Sequence, residues 1–556
     1  MIVNVSTHLA RLAGEEPDRE AIIISATGAG RTFKQLHDDS DRVAHALRGI
    51  GIIRGLRTAL MVPPSLEFFT LTFALFKIGA VPVLVDPGMG IRNLGTCLAE
   101  AEPAAFIGIP KAHLARKLLG WAKQSLCTTV TTGKLFAQFS LPTLLKAPPT
   151  GSTFPMAATT ADETAAILFT SGSTGVAKGV VYTHGIFAAQ IDMLRQMYGI
   201  EPGEVDLSTF PLFALFGPAL GMTAVVPDMN PTKPAQVDPR KIIGAIEKYR
   251  VTNMFGSPAL VDRVGTFLKE KGIKLPSLKR VISAGAPVPA HAVERFATAL
   301  SPGVQVHTPY GATESLPVAS IGNDELKETR AATEAGCGVC VGRPVPPMQV
   351  RIIPISDEPI ALWDQSQCLG TSAIGEIVVN GPVVSRSYFN RPRANELAKM
   401  IDPATGDVWH RMGDLGYFDS LGRLWFCGRK SQRVVTSRGT LHTAMCEGVF
   451  NRESLRTALV GVVAFGDVQP VLCCEFIAWP DGRPDTGEIT LRHPHTSAIR
   501  KVLRHSKFPV DVRHNSKIFR EKLAVWATRQ LRHHQWEADT TPIVAAPTFD
   551  EWRAAQ

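Results

Sequence analysis

One stretch limits what this chain can become more than any other. Ala165 to Phe169 is an apolar run that reads as a buried strand, and it ends in ten residues dominated by hydroxyls and glycine, Thr170-Ser171-Gly172-Ser173-Thr174-Gly175-Val176-Ala177-Lys178-Gly179. Apolar residues resume at Val180. Glycine lets backbone approach a ligand closely and reach positive φ. Successive N–H groups in such a loop form a concave anion site, and hydroxyls add donors. Lys178 contributes a mobile positive charge. The loop reads as one that closes over a polyphosphate. It departs from the common nucleotide P-loop, where Gly-Lys is followed by Ser or Thr, because Lys178 stands between Ala177 and Gly179. A plain solvent loop of the same composition is the competing reading.

The rest of the chain supplies a frame for that loop. Ala21–Ser25, Arg57–Val62 and Ala80–Val85 read as strands, while Asp38–Ile50 places Val43, Ala44, Leu47 and Ile50 on one helical face. Such alternation predicts an α/β layer structure with a largely parallel sheet. Phe68–Lys77 reads as a buried helix, since Lys77 and Pro82 interrupt the apolar run and argue against a membrane span. Pro148–Thr160 reads as a surface connector. The length of 556 residues suits several units, or one large and one small.

Nine scattered cysteines, with Cys337 and Cys340 lacking a second pair at zinc-site distance, read as reduced thiols of a cytoplasmic protein. The first ten residues lack a basic region followed by an apolar core, so no signal peptide is expected. The net charge of +9 is compatible with nucleic acid, an acidic lipid surface or merely an anionic substrate.

Further strings carry chemistry. Phe210, Phe213 and Phe216, with Ala214 and Gly217, are either core or an apolar slot for an alkyl chain, and Met254-Phe255 is a second candidate. Val281 to Pro287 is a strand entering a small-residue turn, where Gly285, Ala286 and Pro287 let a flat ring lie against backbone. His307-Thr308-Pro309-Tyr310-Gly311-Ala312-Thr313-Glu314, then Met412-Gly413-Asp414, Gly428-Arg429 and Asn515-Ser516-Lys517-Ile518-Phe519-Arg520 follow in order. His184, alone at a helix start, reads as a structural hydrogen bonder.

These strings, in this order, resemble the adenylate-forming superfamily of acyl-CoA synthetases, luciferases and peptide-synthetase adenylation domains, from about residue 17 to about residue 530. The resemblance implies a large N-terminal domain of stacked sheets and helices, residues 1–430, and a small mobile α+β domain, residues 431–556, with the hinge at Ser431. It implies that ATP is held by Thr170, Ser171, Gly172, Ser173, Thr174, Gly175 and Lys178, by Gly285, Ala286 and Pro287, and by Thr308, Tyr310, Gly311, Ala312 and Thr313. Tyr310 would stack on adenine and Thr313 would donate to the α-phosphate. Glu314 would hold Mg²⁺, a hard cation that takes one or two carboxylates plus phosphate oxygens. Asp414 would accept both ribose hydroxyls, and Arg429 would reach the ribose or a phosphate. Lys517 would be the lysine that stabilises charge developing as the acyl–phosphate bond forms. Lys517, Glu314, Lys178 and Thr170 would carry catalysis.

The departures are informative. Ala214 replaces a usual histidine, Met412 a threonine and Ser516 a glycine. The motif that helps build the thioester site in coenzyme A ligases is represented at most by Leu441, Thr443 and Glu447. Its erosion weighs against a coenzyme A step.

A carboxylate is a poor acyl donor, and transfer to the α-phosphate of ATP provides AMP as leaving group. Within the superfamily, Pro211–Gly217, Val339–Pro347 and Lys517–Trp526 resemble the branch that serves bacterial long-chain olefin biosynthesis. That branch adenylates a 2-alkyl-3-hydroxy fatty acid, whose own β-hydroxyl then attacks to give a β-lactone. A well-oriented tethered nucleophile contributes about 7–11 kcal/mol, so the chemistry is feasible without coenzyme A. The alternatives are a long-chain acyl-CoA or acyl-ACP ligase, and a non-catalytic scaffold on the same fold. Between Arg492 and Arg532 eleven Lys/Arg face only Asp511 and Glu521. On the scaffold reading this region would dock an acidic partner or a membrane surface; a complex with other olefin-pathway enzymes and peripheral membrane association are open for the enzyme. The region lacks the interleaved aromatics that stack bases, so nucleic acid is not expected.

Overall fold

The computed structural model describes residues 2–146, 153–170, 177–210, 216–451, 453, 455–464, 466–476, 493–511, 517–534, 536 and 542–556. Among them, two large sheets dominate the first three hundred residues. A seven-stranded sheet runs, edge to edge, through Phe139–Ser140, Thr128–Thr131, Ala105–Gly108, Arg57–Met61, Val81–Val85, Thr164–Thr170 and Lys178–Thr183. It is parallel except for its last pair, Thr164–Thr170 against Lys178–Thr183, which closes with Thr170 opposite Lys178. A nine-stranded sheet centres on the parallel strands Thr223–Val226, Val205–Ser208, Asn253–Gly256, Arg280–Ser283 and Gln305–Ala312.

Helices cover these strands because their sequences demand burial. Leu66–Ile78 is apolar almost all round and buried along nearly its whole length, capped by the Ser65 hydroxyl at one end and by Gly79 at φ 75° at the other. Its one cation, Lys77, is buried and paired with Asp41 at 2.6 Å on the neighbouring helix Phe33–Gly49. The expected helix and following strand are thus both present, the strand as Val81–Val85. No helix among the described residues is long and apolar enough to cross a membrane.

A six-stranded antiparallel sheet follows, built on Gln349–Ile353, Gly375–Asn380, Val408–Phe418 and Leu424–Arg429. The short turn Lys430–Gln432 leaves it. The described residues between 434 and 531 then make a two-stranded sheet, a three-stranded sheet and helices with apolar cores of their own. The final helix, Phe549–Ala554, returns to the six-stranded sheet. Phe549 stacks on Trp425 with ring centroids 5.2 Å apart, its backbone N–H donates to Tyr417 Oη at 2.8 Å, and Asp550 accepts from Ser372 and Ser420.

The nine cysteines are unpaired, and Cys337 and Cys340 are buried in the core beneath that helix.

Candidate active site

The site lies where the parallel strands end. In open α/β sheets ligands bind beyond the carboxyl ends of strands. Here those ends deliver Thr209 and Phe210 after Val205–Ser208, Ser257 after Asn253–Gly256, Ala284 and Gly285 after Arg280–Ser283, and Gly311 to Glu314 at the end of Gln305–Ala312. All of these residues line one cavity of about 1030 Å³. Lys178, Arg429, Ser431 and Lys517 complete its wall from other parts of the chain. Two glycines are needed for this shape. Gly285 turns at φ 99°, and a Cβ on Gly311 would stand 2.6 Å from the Ser315 carbonyl oxygen.

Glu314 is held from two sides. The Tyr388 hydroxyl donates to Glu314 Oε1 at 2.6 Å, and the Ser385 N–H donates to the Glu314 carbonyl at 2.8 Å. The segment that supplies both is laced to the strand Lys178–Thr183: Phe389 N–H donates to the Gly179 carbonyl at 2.7 Å. Lys178 Nζ stands 4.7 Å from the centroid of the Tyr388 ring, and Lys399 Nζ stands 5.4 Å from it. Burial pushes the Tyr388 hydroxyl far up, with the Glu314 charge adding to it. Burial lowers the Lys399 ammonium to about 7. Its hydrogen bonds go to the Ser385 carbonyl and hydroxyl. Two more groups brace the turn around Glu314. Tyr182 Oη donates to the Thr313 carbonyl at 2.7 Å, and Gln190 Nε2 to the Leu316 carbonyl at 2.9 Å.

A second cluster sits beside it. Asp414 Oδ2 accepts from Tyr310 Oη at 2.7 Å, and Asp414 Oδ1 lies 3.0 Å from Arg429 Nη1. The two acidic oxygens are thus held apart, one by a phenol and one by a guanidinium. Burial raises the Asp414 carboxyl above its usual range and Arg429 opposes that shift. Burial lowers the Lys517 ammonium, and the Arg429 charge lowers it further.

The sequence-derived residues therefore divide. Lys178, Glu314, Thr313, Ala312, Gly311, Gly285, Arg429, Ser431, Lys517, Phe210, Phe216 and Phe255 share the large cavity. Tyr310 and Asp414 are not among the lining residues; Tyr310 donates to Asp414, which pairs with Arg429 on the wall. Ala286, Pro287 and Thr308 are not among the lining residues, and Gly217 lines a smaller cavity behind Phe216. Met254 is a correction. Successive strand residues face opposite sides, so with Phe255 toward the cavity, Met254 points into the core with Leu207, Val281 and Val306. Ser171, Gly172, Ser173, Thr174, Gly175, Phe213, Ala214 and Ser516 lie outside the described residues, as does the Thr170 side chain. Tyr388, Lys399, Tyr182 and Gln190 were missed. They act from a loop, a short strand and a helix with no local motif, and only the fold brings them to Glu314.

A family model described as AMP-binding enzyme matches residues 9–389. An olefin beta-lactone synthetase from Stenotrophomonas maltophilia (strain K279a) is 51% identical over 549 residues, 95% of this chain and 98% of the relative. Another from Xanthomonas campestris pv. campestris is 49% identical over 551 residues, with the same coverage. Among solved structures, the amide bond synthetase McbA from Marinactinospora thermotolerans superposes with a TM-score of 0.78 at 22% identity, covering 94% of this chain and 99% of that one. O-succinylbenzoate coenzyme A synthetase from Bacillus subtilis, in complex with ATP and magnesium ion, gives 0.73 at 21%, covering 93% and 98%.

Proposed function

The chain belongs to the AMP-binding enzyme family, and from that premise we propose that it activates a 2-alkyl-3-hydroxy fatty acid as its acyl-adenylate and closes it to a β-lactone, releasing AMP and pyrophosphate. The observation that carries this reading is the meeting of Lys178, Glu314, Arg429 and Lys517, drawn from distant parts of the chain, on one cavity of about 1030 Å³. The identity of 51% across nearly the whole chain supports the lactone-forming outcome in particular.

The residues have distinct work. Lys178, Arg429 and Lys517 offset the repulsion between a carboxylate and the α-phosphate, most strongly as charge redistributes in the transition state. Asp414 accepts from the ribose hydroxyls, with Tyr310 and Arg429 fixing its orientation. The donor set suits Mg²⁺, since Glu314 offers one carboxylate on the wall and phosphate oxygens complete such a shell. Bound there, the ion would neutralise phosphate charge. Phe210, Phe216 and Phe255 give the alkyl chains an apolar wall. The β-hydroxyl then attacks the activated carbonyl carbon, the C–O bond to AMP breaks, AMP leaves with the electron pair, and the hydroxyl proton passes to the departing phosphate.

The division of labour runs through Ser431. The proposal places the nucleotide and acyl site in residues 1–430 and Lys517 in residues 431–556, and the separate apolar cores of residues 434–531 support it.

Incubation with ATP, Mg²⁺ and a 2-alkyl-3-hydroxy acid tests the reading. The expected product is the acid less one water, with AMP and pyrophosphate in equal amounts and no requirement for coenzyme A. A thioester formed only when coenzyme A is added would overturn it in favour of a ligase.

A further inference from the structure

Behind Phe216 and Phe255 lies a second, smaller cavity of about 50 Å³. It shares Phe216, Phe255, Ala284, Pro309 and Leu316 with the large cavity. Leu194, Leu220, Met222 and Ile282 make most of its remaining wall apolar. Its far end is different, because Asp206 and Asn253 both face into it.

The sheet explains this placement. Asp206, Asn253 and Arg280 occupy one rung of three adjacent parallel strands, and Ser208, Phe255 and Ile282 occupy the rung two residues on, facing the same way. Passing down the strands from Ala284, the wall is first apolar at Phe255 and Ile282, then polar at Asn253 and Asp206. At about 3.3 Å per residue the polar rung lies some 7 Å below the aromatic one. Strands buried on both faces are normally apolar throughout, and here Asp206, Asn253 and Arg280, 4%, 3% and 6% exposed, break that rule side by side; Arg280 pairs with Glu204, and the other two line the cavity.

Their hydrogen bonds are only partly used. Asp206 accepts from Ser208 Oγ at 2.6 Å and from Asn253 Nδ2. Asn253 Oδ1 has no hydrogen-bond partner among the described residues. A polar group buried against hydrocarbon without a partner is costly, so the end of this cavity resists an alkyl group and accepts water or a hydroxyl.

We propose that Asp206 and Asn253 form a polar end-wall that sets how far one alkyl branch of the substrate reaches. The branch passes Phe216 and Phe255, fills the space beside Met222 and Leu220, and stops where a further methylene would press on the carboxylate and amide. This rests on the acyl-activating reading above, and it assigns a specificity role to two residues outside the nucleotide site.

The test measures pyrophosphate release and lactone formation for 2-alkyl-3-hydroxy acids that differ by two methylenes in one branch at a time. Replacing both polar groups by similar-sized apolar ones, Asp206→Leu with Asn253→Leu, raises the long-to-short ratio of kcat/KM on the order of tenfold for one branch. Met222→Phe, which narrows the same cavity from the side, lowers that ratio and keeps the proposal testable should the double variant not fold. Ratios unchanged from wild type in folded variants, for both branches, overturn the end-wall. Pyrophosphate release without lactone would instead overturn the β-lactone reading while still reporting chain length.

Discussion

The hydroxyl of Tyr388 donates to Glu314 Oε1 at 2.6 Å while its ring takes the ammonium of Lys178 on its face at 4.7 Å. One side chain therefore orients a carboxylate and a cation that both face the large cavity. Tyr388→Phe keeps the ring and removes the hydroxyl. A hydrogen bond to a charged group contributes about 1.5–3 kcal/mol, so turnover falls roughly ten- to a hundredfold and more Mg²⁺ is needed for half-maximal rate. A titration of rate against Mg²⁺ checks this, and an unchanged curve would remove Tyr388 from the site.

Lys517 faces the cavity beside Arg429, at the start of a segment anchored by Arg520. The Arg520 guanidinium pairs with Glu447, through Nε at 3.0 Å, and donates to Gln432. Lys517→Ala is expected to slow acid-dependent pyrophosphate release by about 10²–10³-fold, the usual loss for one donor to developing charge. Binding of AMP, followed by calorimetry, changes far less. Wild-type release from this variant would contradict the assignment.

Phe216 packs against Phe187, with centroids 6.2 Å apart, and lines both cavities. Phe216→Trp narrows the space they share. Substrates with long alkyl branches lose kcat/KM before short ones, and a series of acids of increasing length measures it. An unchanged preference would place the alkyl chains elsewhere.

Two buried histidines predict acid sensitivity of the fold. His184 and His495 are 0% and 3% exposed, and burial holds both down to about 4. In the unfolded chain they titrate near 6.5. Their neutral forms therefore stabilise the fold fully above pH 6.5, and that contribution is lost as pH falls toward 4. Each adds a slope of at most about 1.4 kcal/mol per pH unit in that window. Melting temperature measured from pH 7.5 to 4.5 should fall, and His184→Gln should flatten the fall. An equal slope in the variant would refute the assignment.

Much of this site was legible because charge must meet charge. Lys178, Glu314, Arg429 and Lys517 each stand in strings whose glycines, hydroxyls and order suggest a polyphosphate site, and the structure brings all four to one cavity. What was hidden has a common physical cause. Tyr388 gains its role only because its loop is pinned to the strand Lys178–Thr183, a contact across two hundred residues that no local pattern encodes. Met254 was misplaced because two apolar neighbours on a strand were read together, although a pleated strand sends them to opposite faces. Asp206 and Asn253 were passed over as single polar letters within apolar runs. Their meaning depends on the register that sets them side by side.

The last helix, with Phe549 lodged on Trp425, bears on how the second reaction step is reached. The segment carrying Lys517 leaves the six-stranded sheet at Lys430 and is tied back to it at Phe549. A body fastened at both ends rocks through a short arc, whereas one hung from a single pivot can wheel round to present a new surface to a fresh reactant. An acid that brings its attacking oxygen with it asks for no such turn.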